Sequence, residues 1–145
     1  MKIINHDLEI NTRQGFSLFD VTMKIRQWLK DNQAVNGNIS ITSQHTTTAV
    51  VINEFESRLL EDIKTFFLKL APENSQYLHN DIELRDCPAD EPENAHSHLI
   101  SMMMGSSESI PVIDGDLKLG QYQSVILVEL DGPRQRKLAI QFMGE

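Results

Sequence analysis

IPVIDGDLKLGQYQSVILVELDGPRQRKLAIQF, residues 110–142, holds three apolar runs punctuated by two aspartate-glycine pairs. The runs IPVI, QYQSVILVEL and QRKLAIQF read as strands. Asp114-Gly115 and Asp131-Gly132 read as the turns between them, because glycine accepts the positive φ that tight turns require. Further upstream, Ile39 and Ile41 alternate with Asn38, Ser40 and Thr42, the period of a half-buried strand. Residues 49–52, AVVI, form a continuous apolar run suited to a strand covered on both faces. Lys2 to Ile10 is a further short strand, ending at the polar NTRQG.

Helical spacing appears in three places. Val21, Ile25, Trp28 and Leu29 form one stripe behind Asp20, which is placed to accept a first-turn N–H. Leu59, Leu60, Ile63, Phe66, Phe67 and Leu70 form another, stopped by Pro72. Ala95 to Met104 ends at Gly105 in the C-terminal capping role. Residues 73–93 have little periodicity, and an irregular loop of that length is commonly functional. The expected fold class is α+β, a single domain over 1–145 with antiparallel β-sheet layers and a few packed helices.

Composition narrows the partners. Among 145 residues, 21 acidic and 13 basic side chains give a net charge of −8. That charge opposes phosphate backbones and anionic membranes, and 6% aromatic content offers little for base stacking. Neither nucleic acid nor a membrane is an expected partner. Cys87 is the only cysteine, so no disulfide framework and no thiolate cage for zinc is available. With no apolar leader-like segment and no run of eighteen apolar residues, a cytoplasmic location is expected.

Polar residues in otherwise apolar surroundings mark the candidate site. Residues 39–54, ISITSQHTTTAVVINE, place a histidine and three threonines between two strands. His45, His79, His96 and His98 are scattered; on a helix the last two point about 200° apart, so at most one faces a common site. The plainer alternative is surface or hydrogen-bonded histidine. Glu54 reads either as a general base or as the cap of the following helix. Glu129 interrupts VILVEL, where an unpaired buried carboxylate is costly, or else it faces solvent. Arg134 and Arg136 carry guanidinium forks suited to phosphate, or else occupy a solvated hairpin end. Met102 to Met104 read as packing against the sheet. The run GSSES (105–109) offers N–H groups to an anion without the lysine of a P-loop.

Five ordered stretches, QHTTTAVVINE (44–54), YLHND (77–81), NAHSHLISMMMG (94–105), IPVIDGDLKLGQYQ (110–123) and VELDGPRQRKLAI (128–140), resemble the signature blocks of the YjbQ-like family. Its members have long been grouped as uncharacterised proteins and are often labelled secondary thiamine-phosphate synthases. The resemblance implies compact α+β subunits assembled as homotrimers whose clefts carry histidines. It maps metal ligands onto His45, His79 and His98, leaving His96 an incidental neighbour. It also marks Asn53 with Glu54, and Glu129 with Arg134 and Arg136. Thr48, where the family often has alanine or serine, and Tyr122, in place of a common tryptophan, change the pocket's shape.

Three imidazoles are the ligand count of catalytic zinc, with metal–nitrogen distances of about 2.0–2.1 Å. On this reading Glu54 or Glu129 is the catalytic base, and Thr46, Thr47, Asn53, Arg134 and Arg136 bind substrate. A divalent transition metal, zinc in particular, is the expected cofactor. The expected activity is metal-assisted transfer or hydrolysis on a small phosphorylated metabolite, with thiamine-phosphate synthesis as a weak side reaction. The alternative is a non-catalytic trimeric module that binds a metabolite or phosphate.

Overall fold

The computed structural model describes every residue from Met1 to Glu145. Eight strands form two antiparallel sheets. The larger has the order β1 (Lys2–Asn11), β8 (Gln135–Gly144), β3 (Gly37–Ser43), β5 (Ser107–Ile113), β6 (Asp116–Leu117); the smaller has the order β2 (Gly15–Asp20), β7 (Ser124–Gly132), β4 (Thr48–Asn53). Side chains from both sheets share one core. Ile39, Ile41, Ile110, Leu138, Ile140 and Phe142 come from the larger sheet, and Val50, Val125 and Leu127 from the smaller. Helix α1 (Thr22–Asp31) adds Ile25 and Leu29 to this core, with Asp20 Oδ1 accepting the Thr22 N–H at 3.0 Å as expected.

The other face of the smaller sheet is covered as well. Alternate residues of β7, Ile126, Val128 and Leu130, pack with Ile100 of α3 (Ala95–Met104) and with Leu60, Ile63 and Phe67 of α2 (Ser57–Leu70). The chain therefore stacks large sheet, small sheet and helices in three layers, and β7 is buried on both faces. Residues 73–93 contain only two short 3₁₀ turns, at Leu78–Asn80 and Ile82–Leu84.

The sequence expectations are met at the Asp114-Gly115 turn, where both residues have positive φ and join β5 to β6. They fail at the second aspartate-glycine pair. β7 pairs with β2 and β4, whereas β8 pairs with β1 and β3, so Asp131 to Arg134 is a crossover between sheets and no hairpin exists there. Gly132 does not adopt a positive φ; it is required because a Cβ on it would lie 1.9 Å from the Arg13 carbonyl oxygen. Glu56, not Glu54, caps α2, accepting the Arg58 and Leu59 N–H groups at 2.9 and 2.7 Å. Of the methionine run only Met104 packs against the core; Met102 and Met103 are exposed. Ser107 and Ser109 belong to β5 and pair with β3, so the GSSES run forms no anion loop.

Of the six places where the chain passes between the sheets, three are short crossovers, at 12–14, 44–47 and 133–134. Backbone bonds tie them together at one end of the sandwich. Thr12 N–H donates to the Arg134 carbonyl at 2.9 Å, and Leu130 N–H donates to the Thr47 carbonyl at 3.1 Å.

Candidate functional site

At that end the two sheets close over charge in place of hydrocarbon. Glu129 shares strand parity with Val125 and Leu127, and Arg136 with Leu138 and Ile140, so both side chains enter the space between the sheets. Glu129 is 0% exposed and Arg136 4%. Arg136 Nε donates to Glu129 Oε2 at 2.7 Å and Nη2 to Oε1 at 2.5 Å, a two-pronged pairing that suits the fixed guanidinium fork. Thr12 Oγ1 donates to Oε2 at 2.6 Å and the Asp131 N–H to Oε1 at 2.9 Å. The carboxylate is thus a fully satisfied structural anion. Burial acts to raise its pKa, but the hydrogen bonds from Arg136, Thr12 and Asp131 outweigh that and hold it below the ordinary value. Neither sequence alternative for Glu129 survives: it does not face solvent, and with both oxygens engaged it is poorly placed to act as a base.

Thr47 sits against this pair, its hydroxyl accepting from Arg136 Nη2 at 2.8 Å, and is buried. Its neighbour Thr46 is exposed and lines an open cleft of about 390 Å³. The cleft has no hydrophobic lining residue. His45, Thr46, Thr47, His98, Arg134 and Arg136 border it, as do Asn94 and Asp131. Arg134 is half exposed and leans on Asp131, donating from Nε to the carbonyl at 3.0 Å and from Nη2 to Oδ2 at 3.1 Å. In both arginines those bonds use Nε and Nη2, which leaves Nη1 uncommitted within the protein. With Glu91 and Asp131 also in the lining, two cations meet two anions, a neutral cleft on a chain of net charge −8.

The histidines are placed by two different devices. Lys137 N–H donates to His45 Nε2 at 2.9 Å, which leaves the ring proton on Nδ1. Burial, then the Arg136 charge, lowers the His45 pKa, so the ring is neutral near pH 7. His98 is positioned by α3, which hydroxyls pin across the small sheet: Ser97 Oγ donates to the Leu130 carbonyl at 2.7 Å and Ser101 Oγ to the Thr48 carbonyl at 2.5 Å. Asn80 Oδ1 accepts the Ala95 N–H at 3.1 Å, satisfying one free donor at the start of that helix. His79 arrives from the irregular segment and meets His98 edge-on, ring centroids 4.7 Å apart. Burial first, then this neighbour, lowers the His98 pKa, against the opposing pull of Asp131.

This geometry does not assemble the three-histidine metal site. No group of three His, Cys, Asp or Glu side chains is arranged to hold an ion. His79 and His98 supply two imidazoles, but His45 has its Nε2 engaged by a backbone donor and its Nδ1 protonated. The donor set of the single chain is therefore one ligand short of catalytic zinc. Asn53 and Glu54 lie elsewhere, in a separate depression with Tyr122 and Gln123 beyond the far end of β4. Six strand residues place them about 20 Å from the His45 end. The residues the sequence reading does not single out are Thr12 and Asn94, whereas Asp131 falls in the family-like DGPR stretch without a role of its own. Asn94 carried the one legible signal, a helix-capping residue directly before α3.

Comparisons with known proteins agree with the fold and its length. A UPF0047 protein of Methanothermobacter thermautotrophicus is 35% identical over 145 residues, spanning 100% of this chain and 95% of its own length. The YjbQ protein of Escherichia coli O157:H7 is 33% identical over 118 residues, 80% of this chain and 78% of that one. Among solved structures, a protein of unknown function from Sulfolobus solfataricus P2 superposes with a TM-score of 0.89 at 34% identity, covering 99% of both chains. A hypothetical protein from Aeropyrum pernix K1 gives 0.88 at 36%, covering 98% of this chain and 99% of its own. The family model described as UPF0047 protein YjbQ-like matches residues 6–145, and the chain belongs to that family.

Proposed function

We propose that the cleft between the crossovers binds a small phosphorylated metabolite and that His98, backed by His79, handles the proton if the ligand is turned over. The observation that carries this reading is the donor set. Arg134 and Arg136 are each oriented by a carboxylate and each border the same predominantly polar cleft with Nη1 uncommitted. Arginines held this way lose little freedom when they take up an oxyanion. His45 contributes a neutral Nδ1–H, and a neutral His98 is able to accept a proton near pH 7. The reaction class is transfer or hydrolysis at phosphate, with thiamine-phosphate synthesis a side reaction. No step is routed through a metal, because the donor set falls one ligand short.

The family resemblance adds a cytoplasmic homotrimer. Exposed Phe66, Leu70 and Met102 on α2 and α3 support burial of the helical layer against another copy.

Calorimetric titration with inorganic phosphate tests the reading. Arg134→Ala is expected to weaken binding by about tenfold or more, the value of a hydrogen bond to a charged group. Unchanged affinity overturns the assignment. Elemental analysis of protein purified without an affinity tag is the companion measurement. One equivalent of transition metal per chain, lost in His98→Ala, replaces this reading with a metal-centred one.

A further inference from the structure

The proposed phosphate cleft does not end at the 44–46 turn. Gln44, His45, Thr46 and His98 also border a second open hollow, of about 590 Å³. The cleft lies at the start of α3, beside Asn94, and the hollow at its end, beside Met102 and Gly105, with His98 between them. The two differ in polarity. Arg134, Arg136, Glu91 and Asp131 line the cleft, whereas no Asp, Glu, Lys or Arg lines the hollow. Polar groups in the hollow are largely spent on the fold. Ser101 Oγ donates to the Thr48 carbonyl at 2.5 Å, and Ser43 Oγ pairs with Thr48 Oγ1. The Gly105 carbonyl accepts the Val50 N–H at 3.1 Å, and the Ser106 carbonyl accepts the Ser43 N–H at 2.8 Å. Access is open: Gln44, Thr46, Met102 and Ser106 are exposed, and a Cβ built on Gly105 would meet nothing within 4 Å.

We infer that the hollow receives the organic part of a phosphate ester whose phosphate is held by Arg134 and Arg136, and that this part is uncharged and largely apolar. The inference rests on the proposed phosphate site and adds to it which esters that site takes. A charged group in the hollow loses water and finds no counter-ion, and a polyol finds too few free partners for its hydroxyls. A hydrocarbon group gives up no hydrogen bond and gains contact with the Met102 thioether, a side chain that adapts to irregular shapes. A ligand spanning cleft and hollow passes over Thr46 and His98, the residues they share, which sets its ester oxygen beside the imidazole assigned to the proton. A second copy packed on the helical layer would roof the hollow at Met102 and exclude more water from it.

Calorimetric titration of the wild-type protein with methyl phosphate, n-butyl phosphate and glycerol 3-phosphate, with inorganic phosphate as reference, tests this. The butyl ester is expected to bind at least about tenfold more tightly than the methyl ester, because its three further methylenes leave water. Glycerol 3-phosphate, of similar reach but carrying hydroxyls, is expected to stay within about threefold of the methyl ester. Ser106→Trp puts a ring on the exposed rim of the hollow and is expected to bring the butyl-to-methyl ratio below about two, while inorganic phosphate binds as it does to the wild type. Met102→Gln, close in shape but polar, serves if the tryptophan variant does not fold. Equal binding of the butyl and methyl esters by the wild type overturns the inference and leaves the phosphate site standing. So does a ratio that survives both substitutions. Tighter binding of glycerol 3-phosphate than of the butyl ester overturns the apolar assignment. Failure of every probe, inorganic phosphate included, removes the phosphate site and this inference with it.

Discussion

Replacing Glu129 with glutamine separates structural work from catalytic work at this site. The carboxylate is wholly buried and takes four donors, two from Arg136 and one each from Thr12 and the Asp131 N–H. Each oxygen meets two of them, so either orientation of a glutamine amide sets an NH₂ against two donors. It also leaves the Arg136 charge buried without a counter-ion. Removing one partner of a buried ion pair costs about 3–5 kcal/mol, a large part of the roughly 5–15 kcal/mol that holds a domain folded. For a chain of this length the melting temperature is expected to fall by roughly 10 °C. Urea unfolding at pH 7 measures the loss directly. Because the Glu129 pKa is depressed in the folded state, its stabilisation is complete above the unfolded value of about 4.3 and disappears as pH falls through the folded value. The wild type should therefore lose stability in acid more steeply than Glu129→Gln. Joint replacement by Glu129→Leu and Arg136→Met is expected to recover much of the loss, since a matched apolar pair removes both desolvation costs. A Glu129→Gln protein within about 1 kcal/mol of wild type but inactive would refute the reasoning and restore Glu129 as a base.

Gly132→Ala is expected to be strongly destabilising by thermal melting, since its Cβ would lie 1.9 Å from a backbone oxygen that has no easy way to move. Glu56→Ala should lower the melting temperature by uncapping α2, and the effect should shrink in acid, because the Arg58 and Leu59 N–H groups depress the Glu56 pKa and its contribution disappears as the group protonates. His45→Gln is expected to weaken phosphate binding about tenfold in calorimetry by removing the Nδ1–H donor, while leaving metal uptake unchanged. Wild-type stability should also decline as pH falls below about 6.5, since the depressed pKa values of His45 and His98 favour the neutral rings and their protonation disfavours the fold.

The strands and helices were legible because local periodicity sets them: α3 runs from Ala95 to Met104 with Gly105 as its cap, as its spacing predicts. Sheet membership was not legible. Asp131-Gly132 carries the same dipeptide as Asp114-Gly115, yet one is a crossover and the other a hairpin, because partner choice depends on strands remote in sequence. The site depends on that choice of partner. Read as a hairpin end, Arg136 is a solvated clamp; as part of a crossover it is a buried counter-ion. The solvent-facing alternative for Glu129 fails for the same reason, since the larger sheet covers the face of β7 that carries Val125, Leu127 and Glu129. Donor occupancy lies further out of reach. Nothing in the order of residues says that the Lys137 N–H takes His45 Nε2, and that single bond decides against a third metal ligand.

The adjacent threonines at 46 and 47 test where fold ends and function begins. A strand that changes sheets must leave polar groups at its crossing, and this chain satisfies them with side chains of the crossing itself. Thr47 is buried and accepts from Arg136, whereas Thr46 is exposed on the cleft. Valine has nearly the shape of threonine and lacks the hydroxyl. Thr47→Val therefore removes a charge-assisted hydrogen bond in a buried network, and a loss of about 1.5–3 kcal/mol is expected in urea unfolding. Thr46→Val removes only a group facing the cleft and should unfold like the wild type while binding phosphate less well. If the two substitutions exchange effects, Thr46 costing stability and Thr47 only affinity, the boundary drawn between the buried ion pair and the open cleft is wrong.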